Sequence, residues 1–128
     1  MRQTITKLEV ARYVHDCARR ETPPRVSELA QMHDMSVGHI SRIFRRRFDA
    51  SLSDFMKAVQ VRAAQRLLRT TSLDMNRIAY GCGFGTRRTF YRTYRRVTGR
   101  SPLEYRLLAR HTARSGGRMS KERAEAGP

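Results

Sequence analysis

Two stretches of this chain set arginines at helical spacing opposite an apolar stripe. In the second stretch Arg88, Arg92 and Arg95 share a face, and Phe90, Tyr94 and Val97 share the other. In the first, Gly38, Arg42 and Arg45 lie opposite Ile40, Ile43 and Phe44, and Arg46 also points away from that stripe. Arg87 and Arg96 stand beside the second face, Arg96 toward its edge, while Ser41 and Tyr91 flank the two faces. A guanidinium is planar and offers paired donors, which match a phosphate or the O6 and N7 of guanine. The chemistry available to these residues is therefore recognition of a polyanion with readable edges. One basic helix face by itself is usually just a solvated surface, so the weight rests on there being two.

Composition bounds the partner independently. The chain has 128 residues, a formal net charge of +16 and a pI near 11.5, with arginine dominating its basic residues. That balance is hard to reconcile with neutral metabolites and points to nucleic acid. Acidic membrane surfaces are the competing target, but no segment is a long uncharged apolar run and Met1-Arg2-Gln3-Thr4-Ile5 lacks a signal-peptide core. A soluble cytoplasmic protein with no membrane partner is expected.

The elements that must position the arginines follow from capping and breaker signals. A first helix is expected from about Thr4 to Arg20, with Ile5, Leu8, Val10, Ala11, Val14, Cys17 and Ala18 as its apolar face, stopped by Thr22-Pro23-Pro24. Val26, Leu29, Ala30 and Met32 make a short helix, Asp34-Met35 a turn, and Ser36 the N-cap of the first basic helix. Ser51-Leu52-Ser53-Asp54 resembles a capping box and opens a longer helix, whose Leu52, Phe55, Met56, Val59, Ala63 and Leu67 recur at helical spacing until Arg69-Thr70-Thr71-Ser72. Asp74 caps a short helix over 75–80, and a turn through Gly81, Gly83 and Gly85 leads to Thr86, the N-cap of the second basic helix. Ser101-Pro102 starts a last helix through Tyr105 and Leu108, and the apolar-poor segment after about Arg110 is expected to be disordered.

These elements repeat. Ile40, Arg42, Phe44, Ser51 and Phe55 recur fifty residues on as Phe90, Arg92, Tyr94, Ser101 and Tyr105. Ala30 and Met35 recur forty-nine on as Ala79 and Phe84, so one residue is gained between turn and second helix. A short supporting helix, a turn and a helix with a cationic outer face is the sequence form of a helix-turn-helix, here present twice. The expected fold is all-α, with two helix-turn-helix subdomains joined by a long central helix. Its expected divisions are 1–50 for the first subdomain with its N-terminal packing helix, 51–71 for the connecting helix, 72–110 for the second subdomain and 111–128 for a disordered basic tail.

The order Ile78-Ala79, Gly83-Phe84, Phe90, Arg92, Tyr94, Gly99, Ser101-Pro102 and Tyr105-Arg106 closely resembles the signature of AraC/XylS-type bacterial transcription regulators. The resemblance covers about Val10 to Arg106. Thr86, Arg88 and Tyr94 depart from it, standing where the family more often has serine, serine or another small polar residue, and phenylalanine, which is expected to alter the groove-facing chemistry. Asp49 replaces a usual glycine and Gln60 a common arginine; Asp49 is expected to shift the loop geometry, since aspartate enters the left-handed region less readily. The resemblance implies DNA-facing roles for Gly38, Ser41 and Arg42 in the first recognition helix and for Arg87, Arg88 and Arg92 in the second. It also implies a role at promoters, recruiting RNA polymerase as an activator or excluding it, with the polymerase as a second partner.

The expected function is a sequence-specific, double-stranded DNA-binding transcription regulator. It would act as a monomer on a non-palindromic site, its contacts drawn from Gly38, Ser41, Arg42, Arg45, Arg46, Arg87, Arg88, Tyr91, Arg92 and Arg95. The alternative is a basic RNA-binding or nucleoid-coating protein without sequence preference, which charge alone does not separate. An enzyme is not expected, because no nucleophile-base pair, paired carboxylates or complete GxGxxG is present. No cofactor or metal is expected: Cys17 and Cys82 form no CxxC and read as small buried hydrophobes, and His15, His33, His39 and His111 show no ligand spacing.

Overall fold

Helix α1 (Lys7–Arg19) begins where a capping box closes. The Thr6 hydroxyl accepts from the Glu9 N–H at 3.1 Å while the Glu9 carboxylate accepts from the Thr6 N–H at 2.9 Å. The helix thus starts three residues later than the apolar pattern alone indicates. The computed structural model describes residues 4–115, and all its helices and turns referred to here lie in that range. The buried face of α1 is Val10, Tyr13, Val14 and Cys17. Leu8, expected there, is 67% exposed, and Tyr13, not expected there, is buried. Its ring can be buried because its hydroxyl donates to Glu28 at 2.6 Å and accepts from the Arg25 N–H at 3.0 Å.

The two repeated units are built alike. Helices α2 (Val26–Met32) and α5 (Met75–Gly81) each have seven residues, and α3 (Val37–Phe48) and α6 (Arg87–Thr98) each have twelve. In the turns, Met35 N–H donates to Ala30 O and Phe84 N–H to Ala79 O, both at 2.9 Å. At the far ends, Asp49 N–H donates to Arg45 O and Gly99 N–H to Arg95 O, both at 2.7 Å. Each unit needs two left-handed residues for these closures. The second uses Gly83 and Gly99, the first Asp34 (φ 56°) and Asp49 (φ 53°). The expectation that Asp49 shifts the loop is therefore corrected: its short polar side chain is among the few that enter this region, and the turn keeps its form. Met32, expected as apolar packing in α2, is 61% exposed at the helix end.

Helix α4 (Leu52–Thr70) joins the units over 19 residues, roughly 28 Å at 1.5 Å per residue. Ser51 accepts from the Asp54 N–H at 3.2 Å, the forward half of the expected box. Leu52 and Met56 close one core with Ile5, Val14, Leu29, Ile40 and Phe44, and Val61, Ala64 and Leu68 close another with Ile78, Phe90 and Tyr94. Ala63 and Leu67, expected as core anchors, are only partly buried. The inward line of the C-terminal half runs instead through Ala64 and Leu68, continuing the four-residue spacing of Leu52, Met56 and Gln60.

Helix α7 (Pro102–Ser115) opens with a second closed capping box, Glu104 N–H to Ser101 Oγ at 3.1 Å and Ser101 N–H to Glu104 Oε1 at 2.9 Å. The backbone N–H of Ser101, helped by its side chain, holds the Glu104 carboxyl below the usual carboxylate range. Arg106, 7% exposed, donates from Nε to Leu68 O at 3.1 Å and from a terminal nitrogen to Thr71 O at 3.2 Å, which supplies carbonyls at the C-terminal end of α4 with donors. The helix runs through Ser115, so the expected onset of disorder near Arg110 is corrected; the rest of the expected tail, 116–128, lies outside the described residues.

The glycines of the second turn should respond in opposite directions to one methyl group. A Cβ on Gly81 meets nothing within 4 Å, whereas one on Gly83 (φ +79°) lies 2.8 Å from Thr22 O. Thermal unfolding of Gly81→Ala should show a stability change between zero and about 1 kcal/mol in the favourable direction, and Gly83→Ala a loss of more than about 1 kcal/mol.

Candidate nucleic-acid interface

The basic faces stand on two rigid hydrophobic supports. Phe44 packs at a tilt on Phe48 and Phe55 with centroids 4.7 and 5.4 Å apart, and Phe90 packs at a tilt on Phe84 at 4.9 Å and edge-on to Tyr94 at 6.0 Å. With Ile40, Phe44, Phe90 and Tyr94 buried, helical geometry leaves the opposite sides of α3 and α6 outside. Gly38, Arg42, Arg45, Arg46, Arg87, Arg88, Arg92 and Arg95 are all exposed, and Ser41 and Tyr91 are half-buried at the margins. Among the described residues, the ion pairs Arg19–Asp16 and Arg77–Glu21 involve none of these arginines. The N-terminal turns of both helices are capped by hydroxyls, Ser36 accepting from His39 N–H and Thr86 from Thr89 N–H.

Three details refine the sequence reading. A Cβ on Gly38 would lie 3.2 Å from an Arg42 terminal nitrogen, so the Arg42 guanidinium is laid back over the glycine. The first face therefore carries a charge at the level that Arg88 fills in the second. Tyr91 packs partly against the second core, with the Arg87 guanidinium 5.3 Å from its ring centroid. Tyr94, expected to change the groove-facing chemistry, is fully buried and does not reach that face; Gln65 donates to its hydroxyl at 3.5 Å, and burial pushes it up to about 12. Val97, placed in the same apolar stripe, is exposed. Arg96 lies off the face beside a cavity of about 260 Å³ that it lines with Asp54, Lys57 and Val97.

One position escaped the sequence reading. Val37 opens α3 and is exposed, and the fifty-residue offset maps it onto Arg87. Its signal was the repeat itself, which pairs an apolar side chain with a charged one at the start of the two helices. Arg47, though cationic and on α3, is engaged elsewhere: it donates to the Thr4 hydroxyl at 3.1 Å and sits 5.6 Å from the Phe48 centroid.

Among the described residues no group of three or more His, Cys, Asp or Glu side chains could hold a metal ion, and no helix is long and apolar enough to cross a membrane. What the geometry offers is two exposed cationic helix faces, each at the outer side of a helix pair.

Comparisons with known proteins agree with that arrangement. A family model described as a helix-turn-helix domain matches residues 29–107. The chain is 37% identical over 82 residues to the HTH-type transcriptional regulator Rv1931c of Mycobacterium tuberculosis, covering 64% of this chain and 32% of that protein. It is 27% identical over 108 residues to the HTH-type transcriptional regulator CdhR of Pseudomonas aeruginosa, covering 84% and 32%. The chain thus spans about a third of the length of these curated relatives. Among solved structures, the DNA-binding domain of AdpA, a global transcriptional factor in complex with a target DNA, superposes with a TM-score of 0.73 at 27% identity, covering 86% of this chain and 97% of that one. The C-terminal domain of the response regulator yesN from Fusobacterium nucleatum shares the fold with a TM-score of 0.68 at 24% identity, covering 77% and 96%.

The two thiols lie behind the faces, not on them. Cys17 and Cys82 are free and buried, and burial pushes Cys82 up to about 11. A thiol-reactive dye at pH 8 should therefore label neither residue in the native protein within the time that it labels both in denaturant. Fast native labelling of one thiol would show that the packing around it opens.

Proposed function

The chain belongs to the AraC/XylS-type family of helix-turn-helix proteins, and from that premise we propose that it is a sequence-specific transcription regulator that reads duplex DNA with α3 and α6 in successive major grooves. The observation that carries this reading is the pairing itself: two units of equal helix lengths and matching turn bonds, each with an exposed arginine face, on one continuous helix. Residues to about 50 form the first reader, 51–71 the connector and 72–110 the second. A monomer then covers a non-palindromic site of about 20 base pairs. If the recognition helices stand closer than the roughly 34 Å of one DNA turn, the duplex must bend, at a cost on the order of 1–6 kcal/mol. The regulator works in the cytoplasm at promoters, with RNA polymerase as its second partner.

Within each reader, residues of the first helical turn reach base edges and later ones meet the backbone. Arg88 forks onto guanine, and Val37 suits the methyl group of thymine. Arg42, laid over Gly38, is the charge nearest the bases in the first reader. Arg45, Arg46, Arg92 and Arg95 hold phosphates with increasing share toward the helix ends, and Arg87, Ser41 and Tyr91 border the groove. The reading as a nonspecific RNA or nucleoid protein has no comparable support, since paired helix-turn-helix units suit duplex DNA.

Selection from a random duplex library should recover one sharp, non-palindromic motif; an unenriched pool would favour nonspecific binding. On the recovered site, Arg88→Ala should cost roughly 1–3 kcal/mol and relax preference at one or two adjacent positions, whereas Arg45→Ala should weaken all sequences alike. A uniform loss from Arg88→Ala, with preferences intact, would assign that side chain to phosphate. With about 6–10 phosphate contacts, affinity should fall roughly a thousandfold to a hundred-thousandfold between about 50 and 200 mM salt. A flat salt response would mean that the charge serves another purpose.

A further inference from the structure

Helix α4 is not the sole connection between the two units. The C-terminal ends of α1 and α5 abut, and both close in the same way. At the end of α1, Glu21 N–H donates to Ala18 O and Thr22 N–H to Cys17 O; at the end of α5, Gly83 N–H donates to Tyr80 O and Phe84 N–H to Ala79 O. Each pair is a Schellman closure around one left-handed residue, Glu21 (φ 56°) and Gly83 (φ 79°). The closures touch: a Cβ on Gly83 would lie 2.8 Å from Thr22 O and 3.6 Å from Ala18 Cα, and one on Gly85 would lie 3.5 Å from Pro23 Cγ. Glycine at 83 is thus required twice, for its backbone conformation and for the approach of the first unit's backbone.

Two helix C-termini set end against end bring like partial charges together, because each carries unsatisfied carbonyls. A buried donor answers them. Gln60, at 6% exposed, donates from its amide nitrogen to Cys82 O at 3.2 Å and to Gly83 O at 3.1 Å. The same nitrogen is 3.7 Å from the Cβ that Gly83 lacks. At the rim, Arg77 pairs with Glu21 at 2.9 Å across the same junction.

We propose that the 20–23 segment, the 82–85 turn and Gln60 form a clasp that fixes the phase of α6 relative to α3, making the separation of the two half-sites a determinant of specificity beyond the bases in each. The inference rests on the tandem-reader function above. Gln60, Gly83, Glu21 and Arg77 act as positioning residues. One base pair of added separation rotates a half-site by about a tenth of a helical turn and moves it along the axis, and only a clasped pair of readers resists following. A single helix joined to each unit through its own core can bend and twist; a second contact to one side of it removes that freedom.

The test uses duplexes bearing the two half-sites selected by the unaltered chain, with their separation varied by up to two base pairs either way. The unaltered chain should prefer one separation over its neighbours by about tenfold or more. Gln60→Met keeps the volume and loses both donors; Glu21→Arg sets like charges together at an exposed rim where folding is not at stake. Both should flatten the preference to about threefold or less, with base preferences inside each half-site unchanged. Glu21→Arg combined with Arg77→Glu should restore it. Unchanged spacing preference in both single variants would overturn the clasp and leave α4 as the sole spacer. Loss of base preference within the second half-site would also overturn it, because Gln60 would then be supporting the reader and not its phase. If the unaltered chain selects no paired motif, the tandem-reader proposal fails first and takes the clasp with it; a paired motif with variant-independent spacing sinks the clasp alone.

Discussion

One buried amide stands where the two halves of the molecule meet. Along α4 the inward positions pass from Leu52 and Met56 in the first core to Val61, Ala64 and Leu68 in the second, and Gln60 lies at the crossing. A polar group there is costly unless its hydrogen bonds are made. Both are, to the carbonyls of Cys82 and Gly83 just beyond α5. Hydrophobic burial alone would hold each unit together yet say little about how one is oriented on the other, since it is non-directional. The directional bonds of Gln60, with the close approach of Gly83 to Thr22, turn two packed cores into a defined geometry.

The arginines divide by what surrounds them, and charge does not sort them. Those on α3 and α6 opposite the aromatic clusters stay in water and make no ion pair among the described residues. Arg106 does the opposite, entering the interior to supply donors to the carbonyls at the end of α4, and burial lowers its affinity for a proton as the cost of that position. Arg47 and Arg87 lie against aromatic rings. A net charge of +16 repels itself, which disfavours the compact state until an anion arrives. Neutralising that charge on a duplex would add stability as well as affinity, by linkage between binding and folding.

The repeat shows how geometry persists while residues change. Four left-handed positions close the turns and helix ends of the two units, filled by Asp34 and Asp49 in one and by Gly83 and Gly99 in the other. Only Gly83 meets backbone from a neighbouring element; a Cβ on Gly99 meets nothing within 4 Å. The choice between aspartate and glycine is thus a tolerance at most of these positions and a requirement at Gly83, where the first unit docks.

The sequence by itself determined what depends on local period and local bonds. Helix order, the N-caps Ser36, Ser51, Asp74 and Thr86, the duplication and the exposed sides of α3 and α6 all follow from spacing within a few residues, because a helix presents its faces at 100° per residue whatever it packs on. For the same reason the arginines of the candidate interface were legible without any tertiary information. Tertiary structure decided the rest, where contacts join residues far apart in the chain. Tyr13 is buried because a glutamate on α2 and the Arg25 N–H satisfy its hydroxyl. Arg106 caps a helix thirty-five or more residues away, and Gln60 on α4 donates to the turn that follows α5. None of these has a periodic signature, since each is set by which polar atoms folding brings together and by the need to satisfy them away from water.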